Sequence, residues 1–239
     1  MGKAKINVDT FRVIAHRGLH NKEVSENSLK AFSLAIENNI PFEFDVHLSK
    51  DEKIIVCHDA ELERVTGKKG YIPELTLEQI KKEYRLKDGQ EVPTFEEVLS
   101  LNPNKVPMVI ELKVDRGNFT SLTNAIKPLL KRIGDKTRAT IISFDPRALL
   151  KCRGLGFTRG FLLCKEYERY KIFSRYFDYV DVETTLVDDR YIKKLRKKGR
   201  PVNVWTIENE EELNRCAPYV DMMTFQFLPI EKVKKAMEG

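Results

Sequence analysis

Long apolar runs are missing from this sequence, and none approaches the roughly 20 residues that a membrane-spanning helix needs. The opening residues, MGKAKINVDTF, lack the apolar stretch of a secretory signal. Gly2 is followed by Lys3, and position 6 is Ile6 rather than the Ser or Thr of a myristoylation motif. Cysteine is scarce: Cys57, Cys152, Cys164 and Cys216 show no Cys-x-x-Cys spacing. A zinc site or a disulfide framework therefore has no support, and reduced thiols in a cytoplasmic protein are expected. There is no RNA-recognition motif, zinc-finger spacing or basic zipper, so nucleic acid is not an expected partner. No Gly/Ser/Pro linker and no repeat of fixed period divides the chain, and one domain over residues 1–239 is expected. Histidine is rare too. His16, His20, His47 and His58 are all there are, and all lie in the first quarter of the sequence. Scattered core histidines would not bunch this way, whereas a site drawn from the first few structural elements would.

What is present is globular: 41% hydrophobic and 33% charged residues, with a net charge of +6 that suits an anionic substrate. Short β-rich runs alternate with helical patterns. The runs are 12–16, 42–47, 54–58, 107–112, 139–143, 159–163, 179–183, 202–206 and 220–224. Between them, Leu29, Phe32 and Ile36 recur at helical spacing, as do Leu122, Ile126, Leu129 and Ile133. Asp188 is expected to cap a helix that stops at Gly199. A parallel crossover takes about a dozen residues, yet only 48–53 separates the second and third runs. Those two must pair as an antiparallel hairpin. Setting run 54–58 aside as an arm leaves eight strands, each followed by a helix-sized segment. The expected fold is a single (β/α)₈ TIM barrel with a small hairpin arm after the second barrel strand. Its active site would lie at the C-terminal ends of the strands. A doubly wound sheet would show GxGxxG after the first strand, and HRGLHN has one glycine.

Strand alternation then sorts the polar residues. Glu43, Asp45 and His47 share one face of the second run, with Phe42, Phe44 and Val46 on the other. Two carboxylates two residues apart repel unless a cation sits between them, and a hard divalent ion such as Mg²⁺ or Ca²⁺ takes carboxylate oxygens. In VIELK, Glu111 offers a third oxygen ligand beside Lys113. His16 and Arg17 end the first strand, and His58 ends the arm, which can fold over the mouth. This set suits phosphodiester cleavage. Metal and arginine neutralise the phosphoryl oxygens, one imidazole takes a proton from the attacking water or hydroxyl, and the other gives one to the leaving oxygen.

The ordered motifs are His16-Arg17-Gly18, Glu26-Asn27-Ser28, Glu43-Phe44-Asp45, His58-Asp59 and Glu111-Leu112-Lys113, followed by ISFDP at 142–146 and VNVWTIEN at 202–209. In this order and over essentially the whole chain, the sequence resembles the glycerophosphodiester phosphodiesterases. The resemblance implies a TIM barrel, one divalent metal ion (Mg²⁺ or Ca²⁺), and a small-molecule glycerophosphodiester cleaved to sn-glycerol 3-phosphate and an alcohol. By position it implies His16 and His58 as the acid/base pair, Glu43, Asp45 and Glu111 as metal ligands, and Arg17 on the phosphate. Lys113 and Trp205 would line the site. The chain departs from the pattern at Ser28 for Thr and at Asp51-Glu52 for Asp-Gly. It departs again after Thr224, where Phe225 and a later Pro229 stand for Thr-Asp-x-Pro.

Other residues admit blander readings. SENS is equally a helix cap. His20 and His47 are expected to support the site or lie at its rim rather than catalyse. Asp181 is expected in an ion pair with a lysine. KKLRKKGR at 193–200 reads as a solvated helix face. Two other functions compete. One is a related phospholipase-type barrel acting on lysophospholipids or cyclic phosphates, which should show an apolar wedge at the mouth; only RYKIFSRYFDYV at 169–180 qualifies, and it reads equally as a packed helix. The other is a non-catalytic phosphodiester-binding protein, which would be expected to have lost a histidine or a ligand.

Overall fold

Nine strands form in the computed structural model, which describes residues 6–103 and 105–238. They are β1 (Val13–Ala15), β2 (Phe42–Leu48), β3 (Ile54–Val56), β4 (Met108–Leu112), β5 (Ala139–Ser143), β6 (Thr158–Leu163), β7 (Tyr179–Glu183), β8 (Val202–Ile207) and β9 (Met222–Phe225). Eight of them close a parallel ring in the order β1-β2-β4-β5-β6-β7-β8-β9. The ninth, β3, pairs antiparallel with β2 outside it, with Val46 opposite Val56 and Leu48 opposite Ile54. This is the TIM barrel with a hairpin arm that the run lengths predict. Every residue of β2, β4 and β5 is buried, as expected for strands covered on both faces.

The arm is larger than a hairpin. Ile55, Leu62, Val65, Ile72, Ile80, Tyr84 and Val92 build a small core of their own beside the barrel. At its tip Glu52 holds φ +60°, the left-handed backbone that the missing glycine of an Asp-Gly turn would adopt freely. Inside the ring, Ile14, Val109, Ile142, Leu162, Tyr179 and Met222 form an apolar floor joined by Ile6 and Phe11. Beside this floor a few buried polar groups pair with one another, Asp181 and Thr224 with Asn203.

Helices α1 (Leu29–Glu37), α2 (Glu63–Thr66), α3 (Leu77–Glu83), α4 (Phe95–Leu101), α5 (Phe119–Arg132), α6 (Pro146–Lys151), α7 (Arg190–Lys197), α8 (Glu210–Cys216) and α9 (Ile230–Met237) fill the crossovers. Two expectations fail here. The cap of α7 is Asp189, not Asp188; its carboxylate accepts from the Tyr191 and Ile192 amides. After β6 there is no α-helix, because Lys165–Tyr176 is a run of 3₁₀ turns kinked at Tyr167.

Candidate active site

The chain turns sharply where β1 ends. Arg17 has φ +52° and Gly18 φ +79°. A Cβ on Gly18 would lie 2.8 Å from the Ala31 backbone, so only glycine fits against α1. The turn aims the Arg17 amide into the barrel, where it donates to Glu43 Oε2 at 3.0 Å. Asn27, also left-handed at φ +52°, donates from its backbone to the Arg17 carbonyl (3.0 Å) and from its side chain to Asp45 Oδ2 (2.8 Å). Ser28 caps α1 through the Ala31 amide at 3.1 Å. The stretch SENS is therefore both cap and site: Ser28 does the first, Asn27 the second.

Glu43 and Asp45 come from β2 and Glu111 from β4, where the register sets Asp45 directly beside Glu111. All three are buried, and one carboxylate oxygen from each lies within 4.8 Å of the others. Two cationic side chains stand beside the trio. Lys113 Nζ is 3.0 Å from Glu111 and 3.3 Å from Asp45, and Arg17 Nε is 3.5 Å from Asp45. Arg17 is shared with Glu26 at 2.8 Å, so the trio still holds more negative than positive charge. Burial, then Asp45 and Glu111, push the Glu43 carboxyl well above its usual range. Burial pushes Glu111 up to about 7, with Asp45 adding and Lys113 opposing. Burial would also raise Asp45, but Lys113, His58 and Arg17 hold it well below the usual range. Glu43 Oε1 is buried without a hydrogen-bond partner. A crowded set of oxygens with one orphaned atom fits a hard cation, and these three residues could hold it.

The two imidazoles are tied back in parallel fashion. His16 Nδ1 contacts Gln226 Oε1 at 2.7 Å, and its Nε2 lies 4.0 Å from Glu43. The Gln226 amide nitrogen donates to Glu208, so its oxygen faces the histidine and accepts from Nδ1–H. His58 Nδ1 meets Asp59 Oδ1 at 2.6 Å, and Arg64 bridges Asp59 to Glu26. In both rings Nδ1 is engaged, leaving Nε2 for chemistry. Burial and the charge of Arg17 push His16 down to about 3; burial lowers His58 as well.

His20 and His47 hold other groups. His20 Nε2 shares the Gln226 oxygen at 3.0 Å, and its ring meets Phe227 edge-on. His47 Nε2 lies 2.9 Å from the His58 carbonyl oxygen, to which it can donate to fix the arm. Trp205 donates to the Asp181 carbonyl at 3.3 Å and packs edge-to-face on Phe144. Among the described residues Asp181 has no lysine partner; it accepts from Asn203 at 2.7 Å inside the barrel. Gln226, Asp59 and Arg64 were not singled out from sequence. Asp59 stood in the His-Asp motif, whereas Gln226 falls where the motif pattern breaks.

Fold and site together define a phosphoric diester hydrolase of the barrel type. A sequence model of the Glycerophosphoryl diester phosphodiesterase family matches residues 16–223, and the chain belongs to that family. It is 27% identical over 223 residues to a glycerophosphodiester phosphodiesterase of Caldanaerobacter subterraneus, covering 85% of this chain and 88% of the relative. It is similar to the crystal structure of a glycerophosphodiester phosphodiesterase from Thermotoga maritima, with a TM-score of 0.72, 27% identity, and 95% and 97% of the two chains covered. A further fold match, at TM-score 0.82 and 23% identity, is an Oleispira antarctica phosphodiesterase in complex with the product sn-glycerol-3-phosphate; it covers 95% of this chain and 97% of that one.

Proposed function

We propose that the protein hydrolyses glycerophosphodiesters to sn-glycerol 3-phosphate and an alcohol, using one divalent ion, Mg²⁺ or Ca²⁺, and the pair His16 and His58. The observation that carries this reading is the meeting of three buried carboxylates with two imidazoles whose Nδ1 atoms are both engaged. Glu43, Asp45 and Glu111 would hold the ion, which supplies charge for the phosphoryl oxygens when bound. Arg17 and Lys113 add positive charge beside them; Arg17 Nε is buried without a hydrogen-bond partner and can donate to a phosphate oxygen. Trp205 lines the far side of the mouth. One histidine Nε2 takes the proton of the attacking oxygen as it bonds to phosphorus; where that oxygen is water the product forms directly, and where it is a glycerol hydroxyl a second step adds water and opens the cyclic phosphate. The bond from phosphorus to the alcohol oxygen breaks, and the other Nε2 delivers a proton to that oxygen. His20 and His47 act by holding Gln226 and the arm. Residues 1–239 work as one barrel domain in this reading. A cytoplasmic setting is supported by the four cysteines, all free and buried. No helix among the described residues is long and apolar enough to cross a membrane.

The test offers sn-glycero-3-phosphocholine, its ethanolamine and inositol counterparts and bis(p-nitrophenyl) phosphate to the purified protein, with metals varied after chelation. Glycerol 3-phosphate and free alcohol should appear with a divalent ion present. Release from none of these with any metal would contradict the reading.

A further inference from the structure

Three neighbouring strands of the ring, β8, β9 and β1, each place a polar residue one step past their C-terminal ends: Glu208, Gln226 and His16. A bulge in β8 between Val204 and Ile207 sets Ile207 opposite Phe225, and the ladder runs one residue further. The Gln226 backbone amide donates to the Ile207 carbonyl at 3.0 Å, and the His16 backbone amide to the Phe225 carbonyl at 2.9 Å. The side chains continue the line. The Gln226 side-chain nitrogen donates to Glu208 Oε1 at 2.5 Å, and its oxygen meets His16 Nδ1 at 2.7 Å and His20 Nε2 at 3.0 Å. A second acid fixes the far end, where Glu212 Oε2 accepts from the Glu208 backbone amide at 3.0 Å.

A primary amide can turn either way. With its oxygen toward the rings, its two lone pairs accept from His16 Nδ1–H and His20 Nε2–H. With its nitrogen toward them, its two protons go to the same ring nitrogens, which must then be bare. Both arrangements satisfy the two imidazoles, so the histidines do not choose between them. Glu208 does. An ionised carboxylate only accepts, so it holds the amide nitrogen and repels the amide oxygen. The choice reaches the chemistry. Proton transfer at His16 Nε2 needs hydrogen on Nδ1 throughout, whether the ring starts neutral as a base or charged as an acid. A turned amide would put the one proton of the neutral ring on Nε2 instead. We propose that Glu208 is a positioning residue for the hydrolysis argued above, on which this inference rests: through the Gln226 amide it selects the tautomers of His16 and His20 together and leaves His16 Nε2 free to exchange a proton. His58 needs no such device, because the Asp59 carboxylate at its Nδ1 accepts on either oxygen.

The experiment uses the metal-loaded wild type, Glu208→Gln, Glu208→Lys and the double variant Glu208→Lys/Gln226→Glu. Glu208 is exposed, so its replacement leaves the core alone. Ring-nitrogen NMR shifts of the histidines at about pH 8, where imidazoles are neutral, tell a protonated nitrogen from a bare one. Turnover of sn-glycero-3-phosphocholine is measured beside them. In the wild type His16 should carry its proton on Nδ1 and His20 on Nε2. A lysine only donates, so Glu208→Lys should turn the amide and move both protons to the opposite ring nitrogens together. It should lower kcat by a factor of about 10–100 with KM little changed. Glu208→Gln, which can donate or accept, should give mixed tautomers and a smaller loss. In the double variant a carboxylate accepts from both histidines whichever way it turns, so the wild-type tautomers and most of the turnover should return. Unchanged tautomers in Glu208→Lys, or a double variant as slow as Glu208→Lys alone, overturn the proposal. Tautomers that switch as expected in a protein that cleaves no phosphodiester overturn the hydrolase reading and leave the orienting role of Glu208 standing.

Discussion

Across the barrel mouth, the ends of β1, β2 and β4 and the ends of β5 and β6 are built on opposite principles. The first half is dense with charge that is almost entirely spoken for. Arg17 serves Glu26 and Asp45, Arg64 serves Glu26 and Asp59, and Lys113 serves Asp45 and Glu111. Its backbone is held in left-handed conformations at Arg17 and Asn27, which persist only where the surroundings over-determine them. The second half presents more apolar surface, with Tyr176 and Leu150 more than half exposed, and its charges pair at the rim, as Asp145 does with Arg147. The difference is one of demand. Moving protons and holding a cation would demand fixed groups within a few tenths of an ångström, and the exposed second half meets no such demand.

Substitution should expose that separation, most strongly in the charged half. His16→Ala or His58→Ala is expected to lower turnover by a factor of about 10²–10⁴. The double variant should lose far less than the product of the two, because the pair acts as a unit. A substrate whose alcohol leaves without protonation should partly rescue the variant lacking the general acid and leave the other slow; steady-state rates with p-nitrophenyl esters give the answer. His20→Ala and His47→Ala remove only groups that hold Gln226 and the His58 carbonyl, and about tenfold is expected. Losses equal to those of His16 and His58 would break the division of roles within this half.

The charged half should also carry an acid-sensitive part of the stability. Burial works to raise the Glu26 carboxyl, but hydrogen bonds from Arg64 and the charge of Arg17 outweigh it and lower the group from 4.5 to about 2. A carboxyl depressed in the folded state stabilises the fold above its unfolded value, and that contribution is lost as pH falls from about 4.5 to about 2. In urea unfolding, Glu26→Gln should therefore show a shallower loss of stability over this range than the wild type. Equal slopes would mean that the Glu26–Arg64 pairing contributes nothing. Smallest of all, Leu150→Ser on the apolar side should shift stability by no more than about 0.5 kcal/mol, as exposed sites do. A larger shift in thermal unfolding would make that side structural and blur the contrast.

The two halves also differ in how far they can be read from sequence. The carboxylates of β2 and β4 were legible because alternation on a strand is rigid: residues two apart share a face, and Glu43, Asp45 and Glu111 obey it. The arm was legible from the short link, 48–53, between two β-rich runs. Gln226 was not, because it reaches His16 across 210 positions of chain and no local pattern encodes such a contact. The proximity of Lys113 to Glu111 follows from strand parity, whereas its proximity to Asp45 depends on the pairing of β2 with β4, which parity alone does not supply. Asn27 was half-legible, since cap and site share one motif. In the apolar half, RYKIFSRYFDYV reads equally as an apolar wedge at the mouth and as a packed helix. The chain adopts 3₁₀ turns there, and Tyr167, Tyr170, Phe173 and Tyr176 stay exposed. Asp181 shows the same limit: a buried acid suggests a lysine, and the barrel supplies the Asn203 amide.

The central claim is that Glu43, Asp45 and Glu111 hold a divalent ion on which hydrolysis depends. The most direct measurement is release of glycerol 3-phosphate from sn-glycero-3-phosphocholine by wild type and Glu111→Gln, first in excess chelator and then as Mg²⁺ or Ca²⁺ is titrated back. The account expects no turnover in chelator, recovery of the wild type as one of the two ions is added, and no recovery of the variant at the same concentrations. Full wild-type turnover in excess chelator would contradict it.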